Sequence, residues 1–206
     1  MADIAVAMDT LLRLQQEYAA CRRCPALYNS RTQVVFGSGN QQAEVLFIGE
    51  GPGAEEDKQG IPFCGASGKV LQELLASINL TRDDVFITNT VLCRPENNRN
   101  PAQEEVENCR ERLDQLIQIL KPKVIVTIGN FATERILGRK GITNLRGKVF
   151  PLTINSQEVK VVPVIHPANL LYNGRNPEIL QQMRDDFQVI AVVLAEAQKQ
   201  TSLGRF

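Results

Sequence analysis

Cys21 and Cys24 are separated by two residues, and Cys93 and Cys109 follow much later in the chain. Four thiolates drawn from two places in the sequence can complete a tetrahedral sulfur set for zinc or for an iron–sulfur cluster. A lone CxxC is also the mark of a redox dithiol, but that motif follows a strand and opens a helix. Here Cys21 ends a helical stretch and Pro25 follows Cys24. Spacing by itself leaves zinc and iron–sulfur both open. The fifth cysteine, Cys64, lies between Phe63 and Gly65 and reads as a small apolar residue.

A second constellation is polar. The run Gly49-Glu50-Gly51-Pro52-Gly53-Ala54-Glu55-Glu56-Asp57 is glycine-rich and acidic. It lacks the lysine and Ser/Thr of a nucleotide-binding loop, and its carboxylates repel a polyphosphate. The glycines permit close backbone approach to a flat ligand, while the acids can act on water or on developing positive charge, or simply form a solvated face. The sole histidine, His166, stands immediately before Pro167. Asn89 carries an amide that offers donors and an acceptor to the edge of a base.

The elements that must hold these residues are legible as short, Val- and Ile-rich runs at 44–49, 85–89, 123–129 and 159–166, the pattern of parallel strands covered on both faces. Helical periodicity at 67–80 and 101–120 separates them. This alternation predicts an α/β fold, a three-layer α/β/α domain over residues 1–206 with a central, mostly parallel four-stranded sheet. An N-terminal helix using Ile4, Met8, Leu11 and Leu12 and a C-terminal one over 177–198 complete it. In such sheets the ligand crevice lies beyond the carboxyl ends of the strands, where the glycine-rich loop, Asn89 and His166 all fall.

Composition narrows the classes. The 206 residues include 23 Lys and Arg against 23 Asp and Glu, and 43% are hydrophobic, which suits a buried core and excludes both disorder and a polybasic coat. Basic residues do gather between 121 and 148, either as a phosphate-tracking face or as ordinary surface. No apolar run approaches the roughly 20 residues that span a bilayer, and the acidic start does not read as a signal peptide. A cytoplasmic, reducing location is the expectation, in keeping with an odd cysteine count.

Five segments and one later cysteine, in this order, resemble the family 4 uracil-DNA glycosylases, iron–sulfur members of the uracil glycosylase superfamily. They are GEGPGAEED at 49–57, GIPFCGASG at 60–68, TNTVLCRPENNRNP at 88–101 with the later Cys109, LRGKVF at 145–150 and HPANLL at 166–171. The resemblance implies that Cys21, Cys24, Cys93 and Cys109 hold one 4Fe-4S cluster with a structural role. It implies a repair hydrolase acting on uracil-containing DNA, single- or double-stranded; a monomer is the default expectation, and no membrane partner is expected.

By motif position, Phe63 resembles the plate on which a flipped uracil stacks, and Asn89 the reader of its edge. Glu50 and Gly51 resemble the strand-end pair lining the base pocket. His166 matches the donor to uracil O2, and Glu56 the carboxylate that positions water. Arg146, Leu170 and Leu171 resemble DNA-facing positions, a leucine filling the gap the base leaves. Cys64 stands where relatives often carry valine. The chain has neither the inserted basic loop nor the second histidine of a branch that traps DNA covalently, so turnover by water is expected. The alternative is a non-catalytic iron–sulfur or zinc nucleic-acid-binding module on the same fold.

Overall fold

The computed structural model describes residues 2–154 and 156–203, with side chains from residue 6 to residue 199. Its sheet has six strands: β1 (Ser38–Gly39), β2 (Val45–Gly49), β3 (Phe86–Asn89), β4 (Val124–Ile128), β5 (Phe150–Ile154) and β6 (Gln157–Val164), in the order β1-β3-β2-β4-β6-β5. The central four are the expected ones and run parallel. The two edges, β1 and β5, run antiparallel to their neighbours and correct the expected count of four. Neither carries a strand's sequence signal. β1 spans two residues, and β5 has Pro151 within it, which an edge strand tolerates because it needs to pair on one side only.

Strand alternation sorts the core into two faces. Leu46 and Ile48 of β2 point to one cluster, Val45 and Phe47 to the other. The first is covered by α1 (Ala2–Ala19) and α6 (Arg110–Leu120), through Leu11, Leu14, Tyr18, Leu113, Leu116 and Ile117. The second is covered by α4 (Ala66–Ala76) and α10 (Pro177–Leu203), through Leu71, Leu74, Met183, Phe187 and Ile190. Three layers result, as expected.

The buried stripe of α1 differs from the expected one. Leu11, Leu14 and Tyr18 follow helical spacing into the core, whereas Met8 and Leu12 lie on the other side and are about half exposed, at 47% and 52%. The side chain of Ile4 lies outside the described residues. The single helix expected over 101–120 is two, α5 (Gln103–Asn108) and α6, with Cys109 at the junction. Among the described residues no helix is long and apolar enough to cross a membrane.

Register sets the site. Gly49 and Asn89, the last residues of β2 and β3, are direct partners. The loop after β2 therefore starts beside Asn89, and His166 follows β6 by two residues at the same end of the sheet.

Candidate active site and cysteine cavity

A cavity of about 550 Å³ opens at these strand ends, and Glu50, Gly51, Glu56, Phe63, Asn89 and His166 all line it. Asn89 is 1% exposed, and its side-chain Oδ1 has no hydrogen-bond partner. An unsatisfied buried acceptor costs roughly 1–3 kcal/mol, so a ligand N–H directed at it recovers that energy. The Phe63 and His166 rings face each other at 5.7 Å between centroids and 30° between planes, flanking the same space.

Phe63 is held by its backbone. Its φ is +50°, an uncommon value for a bulky residue. Arg82 fixes it by donating to the carbonyls of Phe63 at 2.9 Å and Pro62 at 2.6 Å. Two glycines give the loop room. A Cβ on Gly68 would lie 1.7 Å from the Phe63 carbonyl oxygen, and one on Gly49 would lie 2.4 Å from Asn89 Oδ1 and 2.7 Å from the Phe63 ring. Gly49→Ala therefore intrudes on the pocket itself, and its excision rate should fall about 10- to 100-fold as the pocket groups are displaced. Circular dichroism should show the fold retained; wild-type rates for this variant would contradict the packing described.

His166 Nδ1 accepts the backbone N–H of Ala168 at 3.1 Å. Burial pushes the imidazole down to about 4, with the nearby Glu56 charge opposing. The ring is therefore neutral near pH 7. Because Nδ1 is an acceptor, the single proton sits on Nε2 as a donor.

The loop acids divide into different environments. Glu56 is in α3 (Ala54–Gln59), and its two oxygens accept the N–H groups of Gly53 at 3.1 Å and Gly65 at 2.8 Å. It thereby caps its own helix and ties the loop to the start of α4, leaving lone pairs free toward the cavity. Burial raises Glu50, the other acid on the cavity wall. Glu55 is exposed and pairs with Lys58, while buried Asp57 accepts the Thr32 N–H.

The expected DNA-facing residues are placed differently. Leu170, in α9 (Ala168–Tyr172), is fully buried in the core and Leu171 packs against it, so Leu170 is not a surface probe. The projecting residue of that turn is Tyr172, 87% exposed at the cavity mouth. Arg146 is likewise turned inward, donating from Nε to buried Asp186 of α10 at 2.9 Å. Within the basic run, Arg135 pairs with Asp114, Lys140 with Glu134 and Lys123 with Glu44, and Arg139 lies over Phe150.

The mouth also includes Asn98, Arg99, Asn100, Pro101 and Asn169, which sequence reasoning missed. The signal for the first four was the turn-rich NNRNP run, and for Asn169 the HPANLL segment. Arg99 is fixed there by two hydrogen bonds to Glu105, at 2.9 and 2.6 Å.

Cys21, Cys24, Cys93 and Cys109 line one small, largely apolar cavity together with Tyr18, Leu27, Val34 and Leu92. Cys93 Sγ accepts Arg31 Nη1 at 2.9 Å, and Cys24 Sγ accepts Asn108 Nδ2 at 3.4 Å. Burial pushes the Cys93 thiol up to about 11 and raises Cys24, so as free thiols they are protonated and poorly nucleophilic. Among the described residues, no three His, Cys, Asp or Glu side chains stand close enough to share one metal ion. Cys64 is separate; burial raises its thiol as well.

Residues 36–188 match the family model of the uracil DNA glycosylase superfamily. The chain is 41% identical over 196 residues to a type-4 uracil-DNA glycosylase of Archaeoglobus fulgidus, covering 93% of this chain and 96% of that protein. A type-4 uracil-DNA glycosylase of Sulfurisphaera tokodaii is 42% identical, covering 89% and 84%. One of Thermotoga maritima is 45% identical, covering 76% and 80%. A sheet whose strand ends gather an unsatisfied amide, an aromatic plate and a neutral imidazole thus occurs on a chain that belongs to the uracil DNA glycosylase superfamily, in its type-4 family.

Proposed function

We propose that the protein removes uracil from DNA by hydrolysing the N-glycosidic bond, leaving an abasic site. The observation that carries this reading is the unpartnered Oδ1 of Asn89, buried in the wall of the cavity that Phe63 and His166 also line. A base inside a duplex is out of reach, so uracil is flipped into the cavity and stacks on Phe63. Its N3–H donates to Asn89 Oδ1 and its O4 accepts from the amide nitrogen. Cytosine presents the opposite pattern at both atoms and leaves buried groups unpaired. Glu50 and Gly51 close the pocket beside the base.

When the C1′–N1 bond breaks, its electron pair leaves with uracil and spreads onto O2, and positive charge develops on the sugar. His166 Nε2–H donates to O2, where the hydrogen bond strengthens as charge accumulates. Glu56 offers negative charge to the sugar and accepts a hydrogen bond from the attacking water. The water oxygen bonds to C1′, and its proton passes by way of Glu56 to solvent or to the departing base. Incubating protein with a uracil-containing oligonucleotide and then alkali should cut the strand at that position. Strands left intact, single or double, would refute the activity.

We propose further that Cys21, Cys24, Cys93 and Cys109, which line one small cavity, would hold a 4Fe-4S cluster, the choice over zinc resting on the resemblance to the iron–sulfur glycosylases. Its role would be structural, since these four residues would join the segment after α1 to the segment after β3 and to the α5–α6 junction. Cys93→Ser should abolish broad visible absorption and lower the unfolding midpoint by roughly 10 °C, the shift that loss of about 3 kcal/mol produces in a chain of this size. Colourless wild-type protein with stoichiometric zinc would overturn the cluster. We also propose that the enzyme acts as a monomer on single- and double-stranded DNA, since its open cavity mouth needs no partner subunit.

A further inference from the structure

Arg112 has no exposed surface, and among the described residues no carboxylate pairs with it. A guanidinium in that position is costly unless something compensates its charge. Its hydrogen bonds all go to one place. Nη2 donates to the carbonyl oxygens of Asn89 at 2.6 Å and Thr90 at 3.3 Å, and Nη1 donates to Thr88 Oγ1 at 3.1 Å. The fork therefore grips the residue that carries the pocket amide and both its neighbours. Nε has no partner.

On the other side, Arg112 lies one helical turn beyond Cys109, and its guanidinium stands 6.0 Å from the centre of the Phe36 ring. Burial lowers the guanidinium only to about 10, so it remains a cation at neutral pH.

We propose that Arg112 is a positioning residue for Asn89, its fork fixing the end of β3 so that the side-chain amide is held in place in the pocket wall. This rests on the reading of the uracil pocket given above.

Arg112→Met, Arg112→Lys, Asn89→Ala and the double variant Asn89→Ala/Arg112→Met separate the possibilities, measured by the affinity of each for free uracil. Arg112→Met should bind uracil about tenfold more weakly, the loss expected of hydrogen bonds from a charged group. Arg112→Lys keeps the charge but not the fork, so it should still bind uracil weakly. In the Asn89→Ala background, Arg112→Met should add little further loss of uracil affinity.

Wild-type uracil affinity in both Arg112 variants overturns the proposal. So does an equal loss with and without Asn89, which marks Arg112 as merely structural. If Arg112→Met does not fold, the affinity of Arg112→Lys decides. Wild-type protein that fails to bind uracil refutes the pocket reading instead.

Discussion

Replacing His166 by alanine is expected to lower the rate of uracil excision by about 10²- to 10³-fold, the size of effect seen when one donor to a developing oxyanion is removed. The loss should fall on the chemical step, measured in single turnover, with binding of uracil-containing DNA little changed. A companion effect concerns pH. The fold holds the imidazole neutral, with its protonation displaced from about 6.5 in a free chain down to about 4. An imidazolium would place a proton on Nδ1, against the Ala168 N–H that this atom now accepts.

The excision rate should therefore stay level as pH falls through 6.5 and drop only on approach to 4. Stability follows the same window. Between those values the unfolded chain binds the proton and the native one does not, so this contribution is complete above 6.5 and is lost as pH falls toward 4. An acid limb centred near 6.5 in the excision rate would contradict the neutral donor.

The second large effect is expected at Asn89. Asn89→Leu keeps the side-chain volume but removes both the acceptor and the donor, and excision should fall by about 10³-fold, since a site built to hydrogen-bond its substrate depends steeply on those bonds. Far-UV circular dichroism and the unfolding midpoint should hardly move, because Oδ1 makes no bond in the free protein. If this variant excises uracil within tenfold of wild type, the amide does not read the base.

The central strands and the pocket were legible for related reasons. Runs such as the one ending at Gly49 must be buried on both faces, and chemistry in an open α/β sheet collects where those runs stop. Glu50, Asn89 and His166 stand at or soon after such ends, Phe63 lies in the loop between α3 and α4, and the structure brings all four to one cavity. The motifs they share with known glycosylases supplied roles that spacing could not.

What escaped is what depends on packing between distant segments. Nothing in the string LRG shows that Arg146 finds buried Asp186 across to α10. Leu170 and Leu171 are equal as letters, and only the direction of a short helix buries the first and leaves Tyr172 at the mouth. Arg112 sits in a charged run, RERLD, that reads as a solvated face, yet its helix turns it under the end of β3. Arg82, which fixes the Phe63 loop, has no motif at all.

A crystal structure of the protein with free uracil bound tests the core of this account most directly. The ring should lie against Phe63 with N3 within hydrogen-bonding distance of Asn89 Oδ1 and O2 within reach of His166 Nε2. Uracil seated in another cavity, or turned so that neither atom meets its partner, would contradict it.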